Sequence, residues 1–159
     1  MPVSALDHVA LPTADTARLV AFYRALGFSI DGEEAWIAGD AVVVGIVCGS
    51  QKINVRTEIL ASFRSHPANL SAPTAEPGCG DLCFIWEGGI DDLLATLTRL
   101  GITPEHGPVR RIGGRGVEGA SVYCRDPDEN LVEFISYLPA DVEATPPMDT
   151  ERFWKEPVV

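Results

Sequence analysis

The stretch SVYCRDPDENLVEFISY, residues 121–137, decides the fold of this chain. It contains two apolar runs rich in β-prone residues, and the polar turn RDPDEN (125–130) joins them. The sequence therefore predicts two successive strands. Glu133 interrupts the second strand with a carboxylate. Because burying an unpaired carboxylate is costly, an inward-facing Glu133 needs a cation or a proton.

The residues before this stretch complete a recognisable order of elements. An apolar run, an amphipathic helical pattern ending at Gly101, an extended run and a glycine-rich turn precede the two strands. The second half of the chain is therefore predicted as β-α-β-β-β. The segments are DLCFIWEG (81–88), IDDLLATLTRLG (90–101), ITPEHGPVRRI (102–112) and GGRGVEG (113–119).

The first half repeats this order with few identical residues. A strand over residues 5–12 precedes a helical pattern over 13–28, with Thr13 or Asp15 as the N-cap and Gly27 as the stop. Short β-like runs follow: FSID (28–31), EAWIAG (34–39), AVVVGIV (41–47) and QKINVR (51–56).

The domain organisation follows from this repeat. We predict a first βαβββ module over residues 1–58, a linker over 59–79, a second module over 80–138 and a proline-rich tail over 139–159. The predicted fold class is α+β, with the two modules in tandem.

Matching the halves by element suggests where polar residues meet. His8 aligns with Asp81 on the first strands, and Arg56 aligns with Glu133 on the last strands. If the halves pack as pseudo-symmetric mates, these four side chains converge on one cavity. One imidazole and two carboxylates there form a divalent-metal site with positions open for substrate.

Each of these residues has a second interpretation. His8 is also explained as a histidine satisfied in the core or on the surface, and Asp81 as a turn cap after Gly80. Glu133 also suits an exposed edge strand beside an arginine. Arg56 is either a surface charge or a bidentate partner for an anionic substrate group.

Charge and composition exclude some classes of protein. The 159 residues carry a formal net charge of −11 with a pI near 4.5, which disfavours nucleic acid and anionic membranes as partners. The sequence shows no apolar run of about 20 residues and no signal peptide. The four cysteines follow no metal-finger spacing, so we expect reduced thiols in the cytoplasm.

Five pieces carry a resemblance to a known family: LDHVAL, FYRALGF, DLCFI, GPV and RDPDENLVEF. Together, over residues 4–138, the chain resembles the glyoxalase/bleomycin-resistance/extradiol dioxygenase family, the vicinal oxygen chelate superfamily. The resemblance implies paired βαβββ modules, whose curled mixed sheets surround a shared cavity. It also implies a homodimer, and we expect the tail with Phe153 and Trp154 to contribute to the interface.

The resemblance implies metal ligands on the first and last strands, which gives His8, Asp81 and Glu133, with Arg56 at the place of a fourth ligand. Asp81 departs from the histidine common there, which favours Mn²⁺ or Mg²⁺ and leaves Fe²⁺, Zn²⁺ or Ni²⁺ open. Arg56 cannot ligate a metal, because a guanidinium has donors only. The isomerase activity of glyoxalase I, which uses a glutamate near that position, is therefore not expected.

Two functions remain open. The first is a metal-dependent enzyme that binds a small molecule through two neighbouring oxygens, with lyase, isomerase or dioxygenase chemistry. Its catalytic residues are predicted as Glu133 and Arg56, and its substrate contacts as Arg56, Cys83 and Tyr123. The second, implied by the bleomycin-resistance members, is a metal-free protein that sequesters a small molecule.

Overall fold

A computed structural model describes residues 2–142 of the chain, except residues 62, 64, 65 and 68. These residues form two four-stranded mixed sheets, one in each half of the sequence, and the sheets are not closed. The predicted α+β class with two tandem modules is confirmed. No helix in the described ranges is long and apolar enough to cross a membrane.

The first sheet has the strand order β1-β4-β3-β2, and β1 runs parallel to β4 while the other pairs are antiparallel. The elements of this module are β1 (His8–Pro12), α1 (Thr16–Ala25), β2 (Ser29–Asp31), α2 (Glu33–Ile37), β3 (Val43–Cys48), β4 (Gln51–Arg56) and α3 (Glu58–Ala61).

The second sheet repeats the topology as β5-β8-β7-β6, with β5 parallel to β8. Its elements are β5 (Asp81–Ile85), α4 (Ile90–Arg99), β6 (His106–Ile112), β7 (Glu118–Arg125) and β8 (Leu131–Ser136).

The first module differs from its prediction in the segment EAWIAG. We expected a strand there, but Glu33–Ile37 form the helix α2. Gly32, with a φ of 75°, adopts the left-handed conformation at the start of this helix. Glu33 and Glu34 lie in the first turn, where their negative charges interact favourably with the helix dipole. Trp36 packs half-buried against the core from this helix, so the apolar side chain is buried without a strand.

The two N-cap candidates of α1 have separate roles. Asp15 is the N-cap, because its Oδ1 accepts a hydrogen bond from the Arg18 amide at 3.0 Å. Thr13 instead bonds to the second module through its hydroxyl.

The two modules share one hydrophobic core. The helices α1 and α4 bury residues such as Leu19 and Leu93 completely. Aromatic rings join the halves, since Phe84 lies 4.8 Å from Phe28 and 6.2 Å from Tyr23 between ring centroids. Full burial of such a side chain contributes about 1.5–3 kcal/mol, so the modules stabilise each other.

The turn between β7 and β8 is ordered by one buried carboxylate, Asp126. Its Oδ1 accepts from the amides of Asp128 (2.9 Å) and Asn130 (3.0 Å), and its Oδ2 accepts from Asn130 Nδ2 (2.9 Å) and Tyr23 OH (3.1 Å). Burial raises the pKa of Asp126 although these hydrogen bonds oppose the rise. Since Tyr23 belongs to α1, the network crosses from one module to the other.

Two more side chains of this turn hold neighbouring segments. Asp128 accepts from the Thr13 hydroxyl at 2.5 Å and from the Ala14 amide at 3.1 Å, just before α1 begins. Asn130 Oδ1 accepts from the Gly80 amide at 2.7 Å, just before β5 begins. The turn 126–130 therefore attaches the second module to the start of helix α1.

Candidate functional site

The strand register decides which residues of the two modules are equivalent. Ala10 of β1 lies opposite Asn54, whereas Cys83 of β5 lies opposite Glu133. With His8 and Asp81 as the first residues of their strands, Asn54 is the counterpart of Glu133. The alignment of Arg56 with Glu133 is therefore wrong, and Arg56 lies two residues further along the same strand face.

A cavity of about 500 Å³ lies between the modules at β1 and β5. Three residues predicted for the site line it: His8, Asp81 and Cys83. Lys52, Glu87 and Arg115 also line it, so two cationic and two acidic side chains border the cavity. The first strands of both modules thus contribute polar groups to one space.

His8 is oriented by its neighbour. Its Nδ1 lies 2.6 Å from Asp7 Oδ1, and 46% of the His8 side chain is exposed. A carboxylate at that distance favours the tautomer with its proton on Nδ1. The Nε2 atom is then the nitrogen available to a ligand.

Glu133 is half-buried on the side of the second sheet that also carries Cys83 and Tyr123. Its Oε1 accepts a hydrogen bond from Ser121 Oγ at 2.5 Å. The Arg111 Nε donates to the Tyr123 hydroxyl at 3.0 Å. Ser121 and Arg111 were not identified from the sequence, and the burial of β7, with four consecutive buried residues, gives no alternation from which the side of Ser121 could have been inferred.

The cysteine beside Glu133 is a neutral group. Burial, followed by the charge of Glu133 and a hydrogen bond to it, raises the pKa of Cys83 to about 12. A thiol with that pKa stays protonated at neutral pH and is a poor nucleophile. All four cysteines are free, so none is constrained by a disulfide.

Arg56 bonds to the segment that follows the first module. One of its terminal nitrogens donates to Asn69 Oδ1 at 2.7 Å and to Ser71 Oγ, and the other donates to the Leu70 carbonyl at 2.5 Å. A smaller cavity, of about 210 Å³, is lined by Arg56 together with His8 and Asn54. The role of Arg56 toward a substrate stays a prediction.

The predicted metal ligands do not form a metal site within one chain. His8, Asp81 and Glu133 all lie in the described part of the sequence, and there no group of three His, Cys, Asp or Glu side chains is arranged to hold an ion. The donor types suit a divalent ion, but their placement does not fit one. We therefore derive no chemical step through a metal.

Comparisons with known proteins agree with this architecture. The model of the Glyoxalase/Bleomycin resistance protein/Dioxygenase superfamily matches residues 5–134. The virulence protein STM3117 of Salmonella typhimurium is 34% identical over 139 residues, which cover 87% of this chain and 88% of that protein. Its crystal structure superimposes with a TM-score of 0.72 at 33% identity, covering 87% of this chain and all (100%) of that one.

The solved structure of an enzyme is also similar, at a lower identity. The lactoylglutathione lyase of Agrobacterium tumefaciens has a TM-score of 0.61 at 26% identity, covering 89% of this chain and 100% of that one. The family match, the relative of similar length and the paired sheets all agree. This chain therefore belongs to the glyoxalase/bleomycin resistance protein/dioxygenase superfamily.

Proposed function

We propose that this protein binds a small oxygen-containing molecule in the cavity between β1 and β5. The observation that carries the proposal is that His8 and Asp81, which begin equivalent strands, line one space of about 500 Å³. That volume is within the range of about 300–1,000 Å³ that is usual for small-molecule sites.

The chemistry of the cavity defines the ligand. Lys52 and Arg115 attract carboxylate or enolate oxygens, whereas His8 Nε2 and the Asp81 carboxylate accept hydrogen bonds from hydroxyl groups. Cys83 lines the cavity and lies opposite Glu133 of the neighbouring strand. A molecule with two adjacent oxygens matches this mixture of charge and polarity. Tyr123 and Arg56 are further proposed contacts for it.

The placement of the side chains in one chain favours binding without a metal. A metal-dependent lyase, isomerase or dioxygenase is the second candidate, with His8, Asp81 and Glu133 as ligands and Arg56 as partner of a substrate carboxylate. The contact between Asp7 and His8 favours the metal-dependent candidate, because a metal-binding histidine usually donates the N–H of its second ring nitrogen to a carboxylate or a carbonyl. The ion would be Mn, Fe, Zn, Ni or Mg. Because the described residues of one chain contain no group of three ligands, its site would need at least one further donor from elsewhere.

A homodimer is proposed from the family resemblance, and a second copy is one source of that donor. The tail residues Phe153 and Trp154, expected in the interface, lie outside the described residues. The cytoplasmic location also stays a prediction from the sequence.

Ligand and metal titrations of the purified protein test the proposal. Catechol and hydroxyacetone, which both carry adjacent oxygens, should raise the melting temperature of metal-stripped protein, because a ligand of the folded state stabilises it. The variants His8→Ala and Asp81→Asn should weaken this binding by about tenfold, the effect of losing one good polar contact. His66→Ala, at an exposed histidine that is not part of the cavity lining, is the matched control.

The same titration separates the two candidates. Stoichiometric Mn²⁺, Fe²⁺, Zn²⁺, Ni²⁺ or Mg²⁺ that is lost in both His8→Ala and Glu133→Gln establishes the metal site that the second candidate requires. Ligand binding that survives chelation establishes the metal-free protein. Equal affinity of the wild type, His8→Ala and Asp81→Asn for every ligand would show that the cavity is not the binding site.

A further inference from the structure

Arg56 is a half-buried cation without a carboxylate partner among the described residues. Its terminal nitrogens donate to the Asn69 amide oxygen, the Ser71 hydroxyl and the Leu70 carbonyl, which are all neutral acceptors. None of the ion pairs between described residues includes Arg56. A guanidinium withdrawn from water is usually paired with an anion, and these contacts account for three of its five N–H donors. They therefore hold the charge in place without neutralising it.

The side chain that holds Arg56 is itself fixed. Asn69 is 7% exposed, and its Oδ1 accepts from Arg56 at 2.7 Å. Its Nδ2 donates to the Leu60 carbonyl at 2.9 Å and to the Phe63 carbonyl at 3.0 Å, so the amide cannot turn without losing these bonds. The guanidinium is therefore positioned before a ligand arrives, which lowers the ordering cost of binding.

Asn54 supplies a second donor on the same side of the first sheet. It lies two residues before Arg56 on β4, so the two side chains share one side of the strand. Asn54 is half-buried, and its side chain makes no hydrogen bond to any other residue that the structure describes. A carboxamide has two N–H donors. An acceptor between Asn54 and Arg56 would therefore meet donors from both.

A cavity of about 210 Å³ is lined by both of these side chains. Its described lining contains no aspartate or glutamate, although the chain carries a formal net charge of −11. The formal charge of this described lining at neutral pH, with histidine neutral, is that of Arg56 alone. Half of the lining is apolar: Ala10, Val42, Val43 and Leu60. The cavity thus joins a fixed cation and a free amide to a hydrocarbon wall.

We propose that this cavity is a binding site for a small carboxylic acid with an apolar body. The carboxylate accepts hydrogen bonds from the Arg56 guanidinium and the Asn54 amide, and the hydrocarbon lies against the apolar wall. A cavity of about 150 Å³ holds benzene, so an acid of about four carbon atoms fits. The site differs from the one proposed above, because neither Arg56 nor Asn54 lines the larger cavity. His8 lines both cavities, so they are neighbours.

Butyrate and butyramide test this inference, because they have nearly the same shape and differ in charge. Their affinities for the full chain are measured at pH 7 by NMR titration. The wild type should prefer butyrate by about tenfold, the effect of a hydrogen bond to a charged group. Arg56→Met should remove this preference. Lys52→Met is the matched control and should keep it, because Lys52 is on the same side of β4, pairs with Asp31 and does not line this cavity.

The side-chain amide signals give a second readout that does not depend on the folding of Arg56→Met. The chain has three asparagines, and Asn54→Leu assigns the Asn54 signal. Butyrate should move that signal in the wild type and leave the signal of Asn130, in the turn 126–130, in place. An unmoved Asn54 signal, equal binding of the two probes by the wild type, or tighter binding of inorganic phosphate than of butyrate would overturn the proposal. These outcomes are independent of hydroxyacetone binding, which tests the larger cavity.

Discussion

The turn between β7 and β8 and the turn between β3 and β4 occupy equivalent places in the two modules, yet they do opposite things. The first has five residues and fixes Thr13, Tyr23 and Gly80 through carboxylate and amide oxygens. The second has two residues, and a cavity remains beside it at Trp86. The two modules thus have the same sheet topology, but one turn stabilises the molecule and the other leaves a space beside it.

The open faces of the two sheets differ in a related way. The counterpart of Glu133 is Asn54, so only the second module has a carboxylate at this position of its last strand. In the first module the cation Arg56 bonds to the following segment instead. The comparison shows that the modules share topology but not chemistry, and the experiments below are designed to test that division.

The largest effect is expected from Asp126→Ala. This change removes the acceptor of four hydrogen bonds, from the Asp128 and Asn130 amides, Asn130 Nδ2 and Tyr23 OH. Leaving such buried donors unpaired should lower the free energy of unfolding by about 3 kcal/mol, measured by urea denaturation. Asp40→Ala, at an exposed position, should change it by less than about 0.5 kcal/mol. Equal stability of the two variants would remove the structural role of the turn.

A smaller effect is expected from Thr13→Val, which has nearly the same shape. The change leaves one buried oxygen of Asp128 without its donor, and we expect a loss of about 1–2 kcal/mol in the free energy of unfolding. Thr98→Val, at an exposed residue of α4, is the control. If Thr13→Val matches that control, the contact between the modules is not stabilising.

A still smaller loss is expected from Arg56→Met. The side chain keeps its aliphatic length but no longer donates to Asn69, Ser71 and the Leu70 carbonyl. We expect about 1 kcal/mol in the free energy of unfolding, since most of these groups can turn to water. If Arg56 also binds substrate, Arg56→Met will weaken a carboxylate ligand and leave a neutral ligand unaffected. An unchanged carboxylate affinity would limit Arg56 to its structural role.

The smallest effect concerns pH. Because burial raises the pKa of Asp126 in the folded state, the folded protein binds this proton more tightly than the unfolded chain. The resulting stabilisation is complete below the ordinary aspartate pKa of about 3.9 and is lost as pH rises through the raised value. The isosteric variant Asp126→Asn should lack this loss, whatever its constant offset in stability. Parallel pH profiles of the two proteins between pH 3 and 7, measured by urea denaturation, would contradict the assignment.

Local patterns were sufficient for most of the fold. The strand and helix periods of the second module, a helix cap at Thr13 or Asp15 and the paired β-α-β-β-β order all depend on neighbouring residues, so they were visible in the sequence. EAWIAG was assigned wrongly because six residues are too few to distinguish the strand period from the helix period. The wrong match of Arg56 with Glu133 has another cause, since register depends on pairing with a distant strand.

The candidate site was only partly accessible to the same reasoning. His8 and Asp81 were chosen by matching the two halves and Cys83 from strand alternation, and all three side chains line one cavity. The hydrogen bond from Ser121 to Glu133 and the use of Arg56 by residues 69–71 depend on side-chain contacts across the fold, which no spacing in the sequence reports.

The sequence by itself determined the order of the elements and the type of all of them except the short helices Glu33–Ile37 and Glu58–Ala61, because backbone preference and hydrophobic period act over a few residues. The tertiary structure alone decided that Asn54 opposes Ala10 as Glu133 opposes Cys83 and that His8, Asp81 and Glu133 do not form one ligand group. It also decided that the Trp86 indole finds no acceptor among residues 2–142 as far as the structure describes them. These outcomes depend on how two sheets are aligned and packed, and that alignment is fixed by contacts between residues far apart in the chain.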